Sequence, residues 1–206
     1  MFKFLLVAIC IQIIVAAKAQ TVSDALKRGS AVTFFGIDFT KAKGVLIGAS
    51  STEMRDKYFL AINTLMVVEQ QKYDIGKALY KSDVKVELRT VDELNQKIDT
   101  SYFKAYSSSE IVPLDKNTIQ SIVRQYNLKD KTGIGLVFIA ESLDKPGKLG
   151  TYYLVYFSMP EGNLILSEKV YGKPGGFGIR NFWAASIYSI LKSDIQLKLE
   201  KKYLSK

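Results

Sequence analysis

From residue 31 to residue 39 the chain reads Ala31-Val32-Thr33-Phe34-Phe35-Gly36-Ile37-Asp38-Phe39, apolar at nearly every position. An apolar run of this length, rich in β-branched and aromatic residues, predicts a strand covered on both sides. In a regular strand Thr33, Phe35, Ile37 and Phe39 share one face, and Val32 and Phe34 the other. A shorter apolar piece, Val45-Leu46-Ile47, follows. The period then becomes helical. Ser50 and Glu53 stand at the spacing of a capping box, and Met54, Tyr58, Ile62, Leu65 and Met66 recur at helical intervals, predicting a helix over 52–70.

Val84, Val86 and Leu88 alternate with Lys85, Glu87 and Arg89, the pattern of a strand with one solvated face. Thr90 and Glu93 repeat the capping-box spacing ahead of a short helix carrying Leu94 and Ile98. A further helix is predicted from Asp115 to Tyr126, with Ile119, Ile122, Val123 and Tyr126 on one stripe and Asn127 as its stop. Three strands then follow without a helix between them, over 134–140, 152–157 and 164–171. Pro146-Gly147 and Pro160-Glu161-Gly162-Asn163 supply the turns of an antiparallel meander. A long helix from Asn181 closes the chain. Its apolar residues Trp183, Ile187, Leu191, Ile195, Leu199 and Tyr203 recur every four residues, so the stripe winds around the helix axis. The sum is an α/β fold bordering on α+β: one three-layer domain, with a mixed sheet of about five strands and helices on both faces.

The first nineteen residues stand apart from this pattern. Lys3, an apolar run from Phe4 to Val15 and the small-x-small triplet Ala17-Lys18-Ala19 have the layout of a secretory signal peptide, expected over 1–19. The run is short for a membrane-spanning helix, which needs about 20 residues. Ile9 before Cys10 departs from a lipid-attachment site, so Cys10 is expected to leave with the leader. The remaining chain, 20–206, holds 187 residues and is read as a single globular domain. With Lys3 and Lys18 removed, the 29 basic groups become 27 against 20 acidic ones, a net charge of +7. Exported eukaryotic domains of this size usually carry disulfides and Asn-x-Ser/Thr sites; neither is present, so a bacterial periplasmic or extracellular location is expected.

The chain has no His, and its single Cys falls in the leader. That excludes Ser-His-Asp catalysis, histidine acid–base chemistry, thiol nucleophiles and most transition-metal sites from the processed protein. No metal and no cofactor is implied. Carboxylate pairs, Ser–Lys pairs, Tyr and oxygen-ligated cations remain. Ser-x-x-Lys occurs four times, but without the further elements of the penicillin-binding group. The loop Gly172-Lys173-Pro174-Gly175-Gly176-Phe177-Gly178-Ile179-Arg180 lies between a predicted strand and a predicted helix. Its backbone N–H groups, with Lys173, Gly176, Arg180 and Asn181, form one candidate anion site; a plain connection is the competing reading. Asp38, a carboxylate in an apolar strand, is the other candidate, as a ligand anchor or acid, against a structural role at the strand's end. Tyr152, Tyr153, Tyr156 and Phe157 alternate over both faces of their strand and read as core. The charge is spread along the chain and is densest from Lys192 to Lys206, which suits a solvated helix end or an anionic envelope surface. No concentrated aromatic-basic motif points to nucleic acid.

Phe35-Gly36-Ile37-Asp38-Phe39-Thr40, Lys72-Tyr73-Asp74 and Gly176-Phe177-Gly178-Ile179-Arg180-Asn181-Phe182-Trp183 together resemble a family of exported bacterial proteins of unknown function. That resemblance implies no activity, cofactor or catalytic residue. More remotely, the layout is similar to small three-layer domains of envelope assembly proteins, such as the amino-terminal domain of TolB. The expected function is a non-enzymatic binding or assembly module of the periplasm or envelope. Its expected partner is another envelope protein or an anionic envelope component, without a transmembrane segment after the leader. The alternative is a small carboxylate-dependent hydrolase acting on an envelope polysaccharide, with Asp38 at its centre.

Overall fold

The computed structural model describes residues 19–205, so Cys10 and all of the expected leader except Ala19 lie outside the described residues. The elements run α1 (Val22–Leu26), β1 (Ala31–Asp38), β2 (Lys43–Val45), α2 (Ser51–Glu53), α3 (Phe59–Val68), α4 (Ile75–Ala78), β3 (Asp83–Val86) and α5 (Arg89–Asn95). They continue with α6 (Thr100–Phe103), β4 (Lys104–Ala105), α7 (Lys116–Val123), β5 (Gly133–Asp144), β6 (Leu149–Met159), β7 (Leu164–Gly172), α8 (Ile179–Leu191) and α9 (Ile195–Tyr203).

All seven strands belong to one mixed sheet, and β5 is its spine. Along one edge β5 pairs antiparallel with β6, from Gly133↔Met159 to Asp144↔Leu149. Its other edge takes β1 and then β2, both parallel, so these two lie end to end in one column. Outside that column β3 pairs parallel with β1, and β4 with β2. Beyond β6, β7 completes the meander. Seven strands therefore occupy five columns, which is how a sheet expected to have about five strands contains seven.

Helices cover both faces. Against one face α3, α8 and α9 bury Phe34, Ile37, Phe138, Leu154, Trp183 and Ile187. Against the other, α7 with Val91 of α5 encloses Phe35, Val137, Ile139, Val155 and Phe157. The aromatics of β6 are core as the alternation requires: Tyr152, Tyr156 and Phe157 are fully buried and Tyr153 is half-buried.

Several boundaries differ from the sequence pattern, each for a local reason. The pairing register of β1 slips between Phe34 and Ile37, at Gly36 with φ +87°. This bulge turns Phe35 to the α7 side while Phe34, Ile37 and Phe39 all face α3, so the expected sharing of one face by Phe35, Ile37 and Phe39 does not hold. The first long helix starts from the Ser50–Glu53 capping box but winds as a π-helix over Met54–Tyr58 before continuing as α3 to Val68. Thr90 caps nothing: α5 begins at Arg89, and Glu93 pairs with Arg89 instead. The closing helix is two helices. Asp194 adopts a left-handed φ of 54° between α8 and α9, which re-aims the second helix and absorbs the winding of the stripe.

Candidate functional site

Beyond the bulge, β1 has lost β3 as a neighbour, and the backbone of Ile37 and Phe39 needs other partners. Two asparagines supply them. Asn63 of α3, fully buried, accepts from Ile37 N (2.8 Å) and donates to Ile37 O (3.1 Å) and to Asp92 Oδ1 (2.7 Å). Asn95 of α5 accepts from Phe39 N (2.7 Å) and donates to Ile37 O (2.9 Å). Between β3 and β4 these side chains stand where a strand would. A Cβ at Gly36 would lie 3.0 Å from Asn63 Oδ1 and 2.8 Å from Leu88, so the bulge needs glycine for both space and φ.

Asp38 ends β1 on the opposite side. It is fully buried, and its Oδ1 accepts from the backbone N and hydroxyl of Thr40 while its Oδ2 accepts from Tyr126 OH at 2.7 Å. Burial pushes its carboxyl above the ordinary range, against the lowering effect of the Thr40 and Tyr126 bonds. Tyr126 stacks on Phe35 and is itself held well above the usual phenol range by burial and by the Asp38 carboxylate. A carboxylate with both oxygens occupied, sealed beneath α7, ties strand to helix and presents no free atom to a ligand.

The Gly-rich loop lies on the other side of the sheet. Gly172 packs its Cα on the α8 backbone, where a Cβ would come within 2.0 Å of Ser186 O. Gly176 and Gly178 take left-handed φ of 86° and 80°, and Gly178 opens α8 without a side-chain cap. Lys173, Gly176 and Arg180 are exposed and Asn181 half-buried; Arg180 Nε donates to Asn181 Oδ1 (3.1 Å). Lys173 and Gly176 thus lie in the loop and Arg180 and Asn181 in the first turn of α8 that follows it, and the fold does not bring Asp38 to them.

The sequence pattern gave no sign of a cleft of about 510 Å³ at the β3 edge of the sheet. The helix layer stops short of this edge strand. Phe34, Met66, Val84 and Val86 form an apolar floor, and the C-terminal end of α3 with α4 forms the wall. Gln70, Gln71, Asp74, Lys77 and Ser82 place amide, carboxylate, ammonium and hydroxyl groups around it. Asp74 caps α4 by accepting from Lys77 N (2.8 Å). Lys81, at the back, is spoken for: its ammonium donates to Ala25 O, Lys27 O and Ser30 Oγ, and burial lowers its pKa to about 8.

Tyr73 also lines the cleft, buried, with a hydroxyl that has no hydrogen-bond partner among the described residues. Its ring meets Tyr188 of α8 edge-on at 6.1 Å, and the Lys72 ammonium lies 5.0 Å from its centroid. Burial raises the phenol's pKa, opposed by Lys72 and Arg180. A second cleft of about 270 Å³ shares Gln71, Asp74 and Lys77 and continues to Lys192 and Asp194. Among the described residues the outer edge of β3 itself pairs with no strand. Val84 and Val86 were visible as a strand face in the sequence; that Met66 and Gln70 reach over them was not, because those residues are separated from β3 by a turn and a short helix.

Among the described residues no helix is long and apolar enough to cross a membrane, and no group of three acidic, His or Cys side chains is placed to hold a metal ion. Set against models of known protein families and against curated proteins, the chain matches none.

Proposed function

We propose that the protein is a non-enzymatic binding module of the bacterial envelope, exported by its leader, and that its ligand is an extended segment of another envelope protein held at β3. The observation that carries this reading is the cleft lying on the inner face of an edge strand whose outer edge is open. A cleft of this size falls within the range of ligand sites, about 300–1,000 Å³. An open strand edge offers main-chain hydrogen bonds to an added strand, and an adjacent apolar pocket reads its alternate side chains. Gln70, Gln71, Asp74 and Lys77 supply both donors and acceptors, as an uncharged peptide backbone or a polar side chain requires. The hydrolase alternative lacks a comparable support, since both oxygens of Asp38 are engaged inside the core.

Selection of a phage-displayed library of linear peptides against the protein tests the proposal. Binders are expected with an apolar residue at alternate positions. Their affinity should fall at least tenfold on Val86→Lys, a change at a 42% exposed position that leaves the fold intact. Failure to enrich any peptide, or binders indifferent to Val86→Lys, would contradict it.

A further inference from the structure

A different part of the surface carries an interaction of its own. The pairing registers place one end of β2, β5, β6 and β7 in a single row. Val45 lies opposite Asp144, so Leu46 stands beside Lys145; Asp144 lies opposite Leu149; and Thr151 lies opposite Tyr171. Gly48 joins the row to the start of α8, since a Cβ there would touch both Lys145 and Ile179. Apolar side chains stand out from this end of the sheet: Leu46 is 58% exposed, Tyr171 59% and Phe177, at the tip of the Gly-rich loop, 95%. Leu149 adds a further exposed aliphatic group.

Interleaved with them are Lys145, Lys148, Lys173 and Arg180, all exposed and none in an ion pair among the described residues. The carboxylates of this end are engaged by neighbouring backbone N–H groups, Asp144 buried and Glu53 and Glu110 at the surface. Glu53 accepts from Ser50 N, Glu110 from Tyr106 N and Ser107 N, and Asp144 from Gly147 N. One end of the molecule therefore sets four cations outside any ion pair among protruding apolar groups, one of them an aromatic ring on a glycine-flanked loop. We infer that this end docks on the surface of a lipid bilayer bearing anionic headgroups. Lys145, Lys148, Lys173 and Arg180 meet the headgroups, and Phe177 with Leu46 enters the boundary between headgroup and acyl chain. No spanning segment is required. Charge complementarity selects the occupant: a neutral protein partner gains nothing from four unpaired cations, whereas an anionic membrane attracts each of them.

Co-sedimentation with phospholipid vesicles tests the inference, using the full chain as the producing cell processes it. Wild type should bind vesicles containing phosphatidylglycerol and remain in the supernatant with pure phosphatidylcholine. A lysine near an anionic surface is worth about fivefold in partitioning, so Lys145→Gln, Lys148→Gln and Lys173→Gln together should weaken binding about a hundredfold. Phe177→Ser should weaken it about tenfold with every charge kept, by removing apolar burial. Both variants should melt at the wild-type temperature, because they touch only exposed side chains. Equal binding to both vesicle types, binding unaffected by either variant, or no binding to phosphatidylglycerol would overturn the inference. The last result would leave the row to a protein partner. Peptide binding at β3 is read separately and does not depend on any of these outcomes.

Discussion

Replacing Asn63 probes the arrangement on which the centre of the fold depends, two asparagines standing in for a missing strand. Asn63→Leu keeps the side chain's branched heavy-atom shape and removes its hydrogen bonds. Ile37 N then loses its acceptor in the core, and Asp92 loses its Asn63 donor. Ile37 O keeps Asn95 as a donor at 2.9 Å. An orphaned buried group costs about 1–3 kcal/mol, and Asp92, half-buried, can recover part of its loss by turning to water. The net cost is about 2–4 kcal/mol. For a chain of this size, each kcal/mol shifts the midpoint by about 2–4 °C, so a central cost of ~3 kcal/mol should lower it by roughly 6–12 °C.

Asn63→Asp sharpens the test. The introduced carboxylate still accepts from Ile37 N but turns its second oxygen toward Ile37 O and Asp92, where a donor is needed. Its folded-state pKa must then lie above its unfolded value, so the variant gains stability relative to wild type as pH falls through that interval, when protonation restores a donor. Thermal melts monitored by circular dichroism between neutral and acid pH measure both effects. Asn63→Leu within 0.5 kcal/mol of wild type, the range of ordinary surface changes, would refute the reasoning. So would an Asn63→Asp deficit that ignores pH.

Three further outcomes follow from single sites. Asp38 has a folded pKa raised above 3.8 by burial, so its contribution is lost as pH rises from 3.8 through the folded value. Asp38→Asn should therefore be about 1 kcal/mol less stable than wild type at the acid end, with the gap closing as pH rises, and should keep peptide binding; chemical denaturation across pH reads both. Glu200, paired with Arg28 at 2.6 Å, has its pKa lowered to about 2, chiefly by that bond. Its stabilisation is complete above 4.5 and lost as pH falls toward 2, so Glu200→Gln should flatten the acid limb of the stability curve. Gly172→Ala would drive a methyl against Ser186 O, and an overpacking cost of about 3 kcal/mol or more should show as a large loss of melting temperature or of folded yield.

The sequence pattern revealed most where a long element has both faces buried. β1, β5 and β6 are apolar at successive positions, which required helices on both sides and so three layers, and Pro146-Gly147 and Pro160-Glu161-Gly162-Asn163 marked the turns of the meander. What it missed arises from backbone conformations that leave the period intact. Gly36 is one glycine within an apolar run, and only its left-handed φ reveals that the faces exchange there. Asp194 interrupts the last helix, though its neighbours keep a four-residue spacing, because α9 buries Ile195 and Leu199 against a new direction of the chain. Asn63 sits within a helical stripe and carries no mark of its pairing with a strand 26 residues earlier. Of the candidate residues, Lys173, Gly176, Arg180 and Asn181 do lie together at the loop and the first turn of α8, since they are neighbours in the chain. The β3 cleft assembles residues from four separate elements, and only the fold relates Phe34 to Met66, Lys77 and Val86.

Amide hydrogen exchange of the protein, alone and saturated with a selected linear peptide, tests binding at the β3 edge most directly. The amides of 83–86 exchange from an open edge strand in the free protein, and strand addition should protect them. Lesser protection is expected over 70–77, where α3 and α4 wall the cleft. Unchanged exchange at 83–86 in a saturated complex, with protection confined to another part of the molecule, would contradict the assignment of that edge as the binding site.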